Sequence, residues 1–254
     1  MLSSRISAVM ACIVVLLPVA TLADPPTAVP GVISKIVERF EADSAGVTAT
    51  RESIVYDQRA PGKNEHDEQE LTVLQQDRRV IGSRLHRIVK DGHVDSPNEL
   101  AQAQADADKR YTSTSPLRTR FAMPYYPESA AEYSYGTAKP CASCGAGMQT
   151  IDFSSSASDD RHIRGSMTFD GATFRPLKLE FTPNVLPKFA TSAKLTYTFG
   201  PHDEGGWGIV RIEEHYTGRM LLISGSADNT TTMVRVKRFA TVDAARKAIE
   251  AGTI

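Results

Sequence analysis

Two cysteines separated by two residues lie in the stretch KPCASCGAG, residues 139–147. In thiol–disulfide catalysis, a cysteine in the position of Cys141 lies at a helix N-terminus, where the helix dipole lowers the pKa of its thiol. The sequence GAGMQTIDF follows Cys144, and its glycines and strand-like run predict no helix there. We therefore favour a disulfide between Cys141 and Cys144 that stiffens a loop, with redox catalysis as the alternative.

The cysteine pair also has the spacing of half a metal site, but a tetrahedral site needs two further ligands. The other cysteine, Cys12, lies in a segment that we predict to be removed. A c-type haem site would need a histidine at position 145, which is glycine. The six histidines show no ligand-like spacing; they are His66, His86, His93, His162, His202 and His215. The sequence thus predicts no metal and no cofactor.

Other catalytic arrangements are missing from the sequence. It contains no Gly-x-Ser-x-Gly elbow and no phosphate-binding loop. Two carboxylate pairs occur, Asp159–Asp160 and Glu213–Glu214, but neighbouring residues of a strand point to opposite faces and make a poor acid–base couple. We therefore predict that the protein is not an enzyme and has no catalytic residues.

The first 23 residues, MLSSRISAVMACIVVLLPVATLA, have the layout of a cleavable secretory signal. Arg5 precedes an apolar run, which ends in the small residues Thr21 and Ala23 at a plausible cleavage site. An uncleaved anchor is the alternative, although Pro18 interrupts the run. We expect a mature chain, 24–254, that leaves the cytosol, so that its two cysteines are oxidised.

The charge and length of the mature chain restrict its partners. Loss of Arg5 with the signal changes the formal net charge from −1 to −2. Proteins that bind nucleic acid are usually basic, so nucleic acid is excluded as a partner. No second apolar stretch reaches the length of about 18 residues that a membrane span requires, so we predict no transmembrane segment in the mature chain. Its length suits a single domain over 24–254.

Three helices are predicted from periodicity and capping signals. Residues 31–43 carry apolar residues at helical spacing. The stretch SPNE at 96–99 has the sequence of a capping box and begins a second, alanine-rich helix. A short closing helix spans 241–252, with Thr241 as its expected cap.

Strand-like segments surround these helices. They cover 48–57, 69–77 and 79–90, and several successive stretches between 161 and 240. A polar loop, 58–68, is expected between the first two. Residues 111–160, rich in Ser, Pro, Tyr and Gly, form an irregular insert. Because the turns between neighbouring strands are short, we predict an antiparallel sheet and an α+β fold class.

Two of these segments present an apolar face on one side only. Apolar and polar residues alternate strictly in 177–181 and again in 195–199. Such a face lines either a packed core or, in a strongly curved sheet covered by few helices, a binding pocket. The alternation alone favours the packed core.

The C-terminal third also has a distinctive order of motifs. The stretch RGSMTFDGATFRPLKLEFTPNVLPKFATSAKLTYTFG is followed by WGIVRIEEHYTGRMLLISGSADNTTTMVRVKRFATV. Upstream, a helix, strands that include RVI and an Asp-Gly turn precede SPNEL at 96–100. In this order, residues 30–250 resemble the periplasmic outer-membrane lipoprotein-sorting (LolA-like) proteins, and the segment 111–160 departs from their pattern.

The resemblance implies an unclosed antiparallel β-barrel whose concave face is covered by helices and whose apolar cavity takes lipoprotein acyl chains. It makes the alternating apolar residues candidate ligand-binding residues of that cavity: Leu177, Leu179, Phe181, Leu195, Tyr197 and Phe199. It also implies a functional arginine near the cavity mouth, which no motif of this sequence places. We accordingly expect a periplasmic carrier of lipoprotein acyl chains or of another apolar, lipid-like ligand.

The insert supplies a second hypothesis. Several aromatic residues crowd it, including Phe121, Tyr125 and Tyr133. They could form a lid or a contact surface, or pack as a satellite cluster under a long loop. With a contact surface, the protein would be a non-catalytic envelope sensor or assembly partner that binds another protein through 111–160.

Overall fold

The computed structural model describes residues 29–113, 121–203, 206–220 and 223–254. The predicted signal peptide, 1–23, and Cys12 lie outside these residues. Within the described ranges, no helix is both long and apolar enough to cross a membrane. Twelve strands and three α-helices form the regular structure there.

The twelve strands pair into one antiparallel sheet. They are β1 (Val47–Ala60), β2 (Lys63–Gln76), β3 (Arg79–Lys90), β4 (His93–Val94), β5 (Ser134–Tyr135), β6 (Lys139–Pro140), β7 (Met148–Ser154), β8 (Ile163–Asp170), β9 (Pro176–Pro183), β10 (Ala190–Pro201), β11 (Trp207–Met220) and β12 (Ile223–Phe239). Their order is β4-β3-β2-β1-β12-β11-β10-β9-β8-β7-β5, and β6 also pairs with β7. The strands at the two ends of this order do not pair with each other, which confirms the predicted α+β fold with an unclosed β-barrel.

The polar segment 58–68 belongs to strands, so the prediction of a loop was wrong. β1 and β2 pair without interruption from Val47↔Gln76 to Ala60↔Lys63. They meet in a tight turn in which Gly62 adopts φ +78°, a conformation that glycine reaches without steric cost. Both faces of this end of the hairpin stay at least partly exposed, so its residues show no apolar alternation.

The three helices begin where the sequence predicts. They are α1 (Gly31–Ser44), α2 (Pro97–Ser113) and α3 (Val242–Glu250). The capping box of α2 is formed, because the Ser96 backbone N–H donates to Glu99 Oε2 at 2.8 Å and the Glu99 N–H donates to Ser96 Oγ at 3.4 Å. Thr241 Oγ1 accepts from the Ala244 N–H at 3.2 Å and caps α3.

α1 covers the concave face of the sheet and buries one stripe against it. Ile33, Ile36 and Phe40 are at most 7% exposed. They belong to one core cluster with buried residues of β7 to β10, among them Ile151, Phe153, Ile163, Met167, Phe169, Leu179, Phe181, Leu195, Tyr197 and Phe199. The apolar faces of β9 and β10 therefore point into this core.

Part of the insert fills the space between α1 and the sheet. We call its buried side chains the aromatic plug: Phe121, Met123, Tyr125, Tyr126 and Tyr133, each at most 3% exposed. The Phe40 ring of α1 lies 4.7 Å from the Tyr125 ring and 5.6 Å from the Tyr126 ring, between centroids. This part of the insert is neither a lid nor an exposed contact surface, because it forms the middle of the core.

Tyrosine hydroxyls hold the irregular backbone of the plug segment. The Tyr133 hydroxyl donates to the Ala122 carbonyl and accepts from the Ile163 N–H of β8, at 3.3 Å for the latter. The Tyr135 hydroxyl contacts the Pro124 carbonyl oxygen at 2.7 Å. Buried backbone groups outside a helix or sheet need partners of this kind, since an unpaired one costs as much as a lost hydrogen bond.

α1 is also fastened at its C-terminal end by an ion-pair cluster. Asp43, whose side chain is 11% exposed, receives two hydrogen bonds from Arg175, at 2.9 and 3.0 Å, and one from Arg39 at 3.1 Å. Arg238 of β12 donates to the backbone carbonyls of Asp43 and Ala45. Arg238 thus satisfies carbonyls that the end of a helix leaves without partners, and Arg175 and Arg238 tie α1 to the segment before β9 and to β12.

α2 protects the edge of β3. The side-chain amide of Gln104 accepts from the Leu85 N–H at 2.7 Å and donates to the Ser83 carbonyl at 2.8 Å. A neighbouring strand would make the same two bonds. These two hydrogen bonds hold α2 against the edge of β3, although the helix is rich in alanine and has few apolar residues to bury. The edge would otherwise be open.

His162 clasps the plug segment to the start of β8. Its Nε2 lies 2.6 Å from Glu132 Oε2 and its Nδ1 lies 2.8 Å from Asp159 Oδ2, and its side chain is only 13% exposed. Burial lowers the pKa of His162, but the hydrogen bonds and charges of Asp159 and Glu132 outweigh it, so the pKa is raised above its ordinary value of 6.5.

The clasp predicts a pH-dependent stability. The pKa of His162 is higher in the folded than in the unfolded protein. The stability that protonated His162 contributes is therefore fully present below its unfolded pKa. This stability is lost as the pH rises through its folded pKa. We expect His162→Gln to lower the free energy of unfolding by about 1 kcal/mol at about pH 5.5 and by less at about pH 8.5. Urea unfolding of both proteins at the two pH values measures this. Substitution of the exposed His93 by Gln is the control. If His162→Gln lowers the free energy of unfolding equally at both pH values, the proposed role of the protonated histidine is wrong.

Candidate functional site

The six candidate ligand-binding residues lie on neighbouring strands of the concave face. Leu179, Phe181, Leu195, Tyr197 and Phe199 are buried in the main core, at most 5% exposed, and Leu177 is half-buried on β9. Of the six, Tyr197 also lines the cavity that is described next. Ligand contact by these residues stays a prediction.

A cavity of about 920 Å³ lies beside the filled core, where β1, β10, β11 and β12 meet. Its long wall is β11, because residues of this strand line it from Ile212 to Arg219. At about 3.4 Å per residue this wall is about 24 Å long. The cavity is therefore an elongated groove that follows the strands.

About half of the residues that line the cavity are aromatic or apolar. Their apolar side chains are Tyr56, Ala60, Phe121, Pro187, Phe189, Ala190, Tyr197, Ile212, Tyr216 and Ala227. Phe121 and Tyr197 belong to the filled core as well, where each of their rings contacts Phe181, at 5.3 and 5.2 Å between centroids. These two side chains form the boundary at which the core ends and the cavity begins.

Sequence reasoning missed most of these residues. The signal is present on β11, where Ile212 and Tyr216 lie at even spacing with Glu214 between them on the same face. Because Glu214 is charged, the residues of this face do not alternate as apolar against polar along β11.

Glu214 is the acidic residue among those that line the cavity. It is half-buried, and its Oε2 accepts from Asn229 Nδ2 of β12 at 3.1 Å. The neighbouring Glu213 faces the other side of the sheet and pairs with Arg211 at 3.0 Å. The two carboxylates of this pair thus lie on opposite faces, as the sequence predicts, and they do not form an acid–base couple.

The Cys141–Cys144 disulfide is present, as the sequence predicts. It lies in the turn between β6 and β7, and residues 142–147 around it are exposed. The Cys141 N–H donates to the Met148 carbonyl at 2.9 Å, and the Cys144 N–H donates to the Cys141 carbonyl at 3.1 Å. No helix begins at Cys141, so the arrangement that activates a catalytic thiol is absent from this described turn.

The histidines bind acceptors within the protein. His215 Nδ1 lies 2.6 Å from Asp228 Oδ1, and His66 lies between Asp57, at 2.8 Å, and Glu68, at 3.3 Å. Across the described ranges, no three His, Cys, Asp or Glu side chains gather as ligands of a metal ion.

Comparison with known proteins finds similarity at the level of structure. The sequence matches no protein-family model and no curated protein. The chain is similar to an outer membrane lipoprotein-sorting protein domain from Vibrio parahaemolyticus, with 11% identity over 85% of this chain and 97% of that one and a TM-score of 0.41.

Two further solved structures are similar to the same degree. A LolA superfamily protein from Nitrosomonas europaea has 10% identity over 84% of this chain and 96% of its own, with a TM-score of 0.34. A DUF1329 family protein from Desulfovibrio piger has 10% identity over 88% and 98%, with a TM-score of 0.39. The lipoprotein-sorting family that the sequence resembles therefore recurs among structural neighbours, while the fold itself is established by the strand pairing of this chain.

Proposed function

We propose that this protein is a non-enzymatic binding protein of the cell envelope, secreted into the periplasm, that carries lipoprotein acyl chains or another apolar, lipid-like ligand. The observation that supports it is a cavity of about 920 Å³ beside a filled core. Ligand pockets commonly enclose about 300–1,000 Å³ and are lined by apolar and aromatic side chains with few polar groups. The cavity on β11 has this size, and about half of its lining residues are apolar or aromatic.

Burial of apolar surface would drive the binding. Each Å² of apolar surface removed from water contributes roughly 25 cal/mol before the costs of ordering the ligand. An extended chain suits an elongated groove, because it contacts wall residues along its whole length. Of the six residues proposed from the sequence, Tyr197 would contact the ligand, and the other five would support its wall from within the core or beside it.

The composition of the lining supports binding rather than catalysis. Among the described lining residues there is no histidine and no cysteine, and Glu214 is held by Asn229. General acid–base chemistry needs a titratable group within hydrogen-bond reach of the proton that it transfers.

Native mass spectrometry of the mature protein purified from the periplasm tests the function directly. We expect a co-purifying mass with an acyl chain, because a preformed apolar groove binds such molecules during expression, and we expect solvent extraction to remove it. A clean ligand-free mass, together with no uptake of added fluorescent fatty acid, would refute the carrier function.

A charge placed in the groove locates the site. We expect Ile212→Glu to weaken binding of a fluorescent fatty acid by at least about tenfold, since an ionised carboxylate against an alkyl chain loses its hydration. Ile212 is only half-buried, so the urea midpoint should stay near that of the wild type. Thr232→Glu, on the opposite face beside Arg211, is the matched control and should bind normally. If Ile212→Glu and Thr232→Glu bind the fatty acid with equal affinity, the ligand does not lie in this groove.

The exposed disulfide turn favours a second candidate, an envelope sensor or assembly partner that binds another protein through the insert. Residues 136–147 of the described insert project largely into solvent, whereas the aromatic plug is buried. We expect Cys141→Ser/Cys144→Ser to leave fatty-acid binding unchanged and, if this candidate is correct, to reduce by several-fold the recovery of a partner cross-linked in cells. Unchanged cross-linking with the double variant and with deletion of 141–146 would exclude it.

A further inference from the structure

Glu214 places a carboxylate on the groove side of β11, between two apolar side chains. Ile212 and Tyr216, two residues before and after it, pack against the main core and line the cavity. Side chains of a strand alternate between its faces, so all three lie on one side of the sheet. Glu214 also pairs with Leu195 of β10, which is fully buried on the concave face. The carboxylate therefore faces the groove and not the outer surface of the sheet.

The same row of the sheet continues with polar side chains on β12 and β1. Glu214 pairs with Asn229, and Asn229 pairs with Tyr56. Directly paired residues of antiparallel strands present their side chains on the same face. We call these three residues, all of which line the cavity, the polar belt: Glu214, Asn229 and Tyr56. The polar belt crosses the groove from β11 to β1.

The polar belt contains a negative charge that no described cation neutralises. Asn229 Nδ2 donates to Glu214 Oε2 at 3.1 Å, and the Tyr56 hydroxyl donates to Gln58 Oε1 at 2.8 Å. Both donors are neutral, because burial and the nearby carboxylates of β2 raise the pKa of Tyr56 above its ordinary value of 10.0. Within the described ranges, no Lys, Arg or His side chain forms an ion pair with Glu214.

The basic residues beside the groove do not reach the polar belt. Arg59 and Arg219 occupy odd-numbered positions of β1 and β11, whose even-numbered positions face the groove, so their side chains lie on the outer face. Lys188 is exposed in the loop before β10, and that strand begins beside Gly218 of β11. Gly218 is four residues from Glu214, which is about 14 Å along the strand.

A ligand that fills the groove must compensate the carboxylate of Glu214. An ionised carboxylate that exchanges water for hydrocarbon loses its hydration, and the loss is costly unless an opposite charge or a hydrogen-bond donor replaces the water. An alkyl chain supplies neither, and an anionic head group adds repulsion. A cationic group supplies the missing charge.

Tyrosine residues flank Glu214 on the groove side. Tyr216 lies about 7 Å further along β11. Tyr197 of β10 is diagonal to Glu214, at about 7–8 Å, because it lies two residues beyond the directly paired Leu195. The face of an aromatic ring attracts an ammonium group within about 6 Å of its centroid. A carboxylate flanked by tyrosines is therefore a suitable environment for an ammonium group.

We propose that the polar belt binds the ammonium group of a cationic amphiphile, whose hydrocarbon chain lies against the apolar walls of the groove. Glu214 balances the charge, and the rings of Tyr197 and Tyr216 contact the carbon atoms attached to the nitrogen. This inference rests on the proposed function and narrows its lipid-like ligand to one chemical class. The apolar walls contribute the affinity that any long chain shares, and the polar belt contributes the preference for a cation.

The test compares dodecyltrimethylammonium with dodecanoate, two single-chain amphiphiles of similar length and opposite charge. Each is titrated below its critical micelle concentration against protein that holds N-phenyl-1-naphthylamine, an uncharged fluorescent probe of apolar sites, and displacement of the probe gives the affinity. The belt variant is Glu214→Gln, because the glutamine oxygen can still accept from Asn229. Glu213→Gln is the matched control, since this neighbouring carboxylate lies on the opposite face and pairs with Arg211.

We expect the wild type and Glu213→Gln to bind dodecyltrimethylammonium at least about tenfold more tightly than dodecanoate. Glu214→Gln should lose about tenfold in affinity for the cation and keep the wild-type affinity for N-phenyl-1-naphthylamine. If the wild type binds both amphiphiles equally, or binds dodecanoate more tightly, the inference is overturned and the carrier function stands. An equal loss of cation affinity in Glu213→Gln and Glu214→Gln would also overturn it, since the effect would then come from the overall charge of the protein.

Failure of the proposed function gives a different result. If the wild type binds neither N-phenyl-1-naphthylamine nor either amphiphile, the groove holds no apolar ligand, and the inference fails together with the carrier function.

Discussion

The packing of the aromatic plug against the concave face of the sheet is the interaction on which the rest of the structure depends. A curved sheet exposes more apolar surface than one 14-residue helix, α1, can cover. The plug removes the remainder from water, and Phe40 of α1 stacks on it from the other side. Because the plug is neither helix nor strand, it persists in the core only where tyrosine hydroxyls satisfy its carbonyls, as Tyr133 does for Ala122.

The same plug determines where the protein is hollow. It fills the barrel from β7 to β10 and ends at Phe121, whose ring contacts Phe181 on the core side while Phe121 itself lines the cavity on the other. Beyond this ring, β11 lines the groove from Ile212 to Arg219. One sheet thus has a packed half, which stabilises the fold, and an open half, which is available to a ligand.

Features of the fold could be predicted from the sequence where they depend on residues close together in the chain. Helix starts were predictable, because the capping box at Ser96 and the cap at Thr241 act within one turn. The apolar faces of β9 and β10 were predictable from alternation. The burial of the plug was not, because residues 121–135 have no period and their partners lie on α1 and β8. The cavity was not predictable either, since alternation on a strand is the same whether its face meets a core or empty space.

The position of the groove also makes its existence depend on the whole chain. Its walls come from β1 near one end of the described chain and from β10 to β12 near the other, and β1 and β12 pair along almost their full length. Contacts between such distant segments form late, because the loop-closure entropy must be overcome first. The groove is therefore complete only in the fully folded protein. Any ligand that occupies it binds the folded state alone, so it stabilises the whole fold by an amount that grows with its concentration relative to its dissociation constant. Ligand binding is consequently coupled to the pairing of β1 with β12. It is not coupled to the packing of the main core, which the protein's own aromatic side chains already fill.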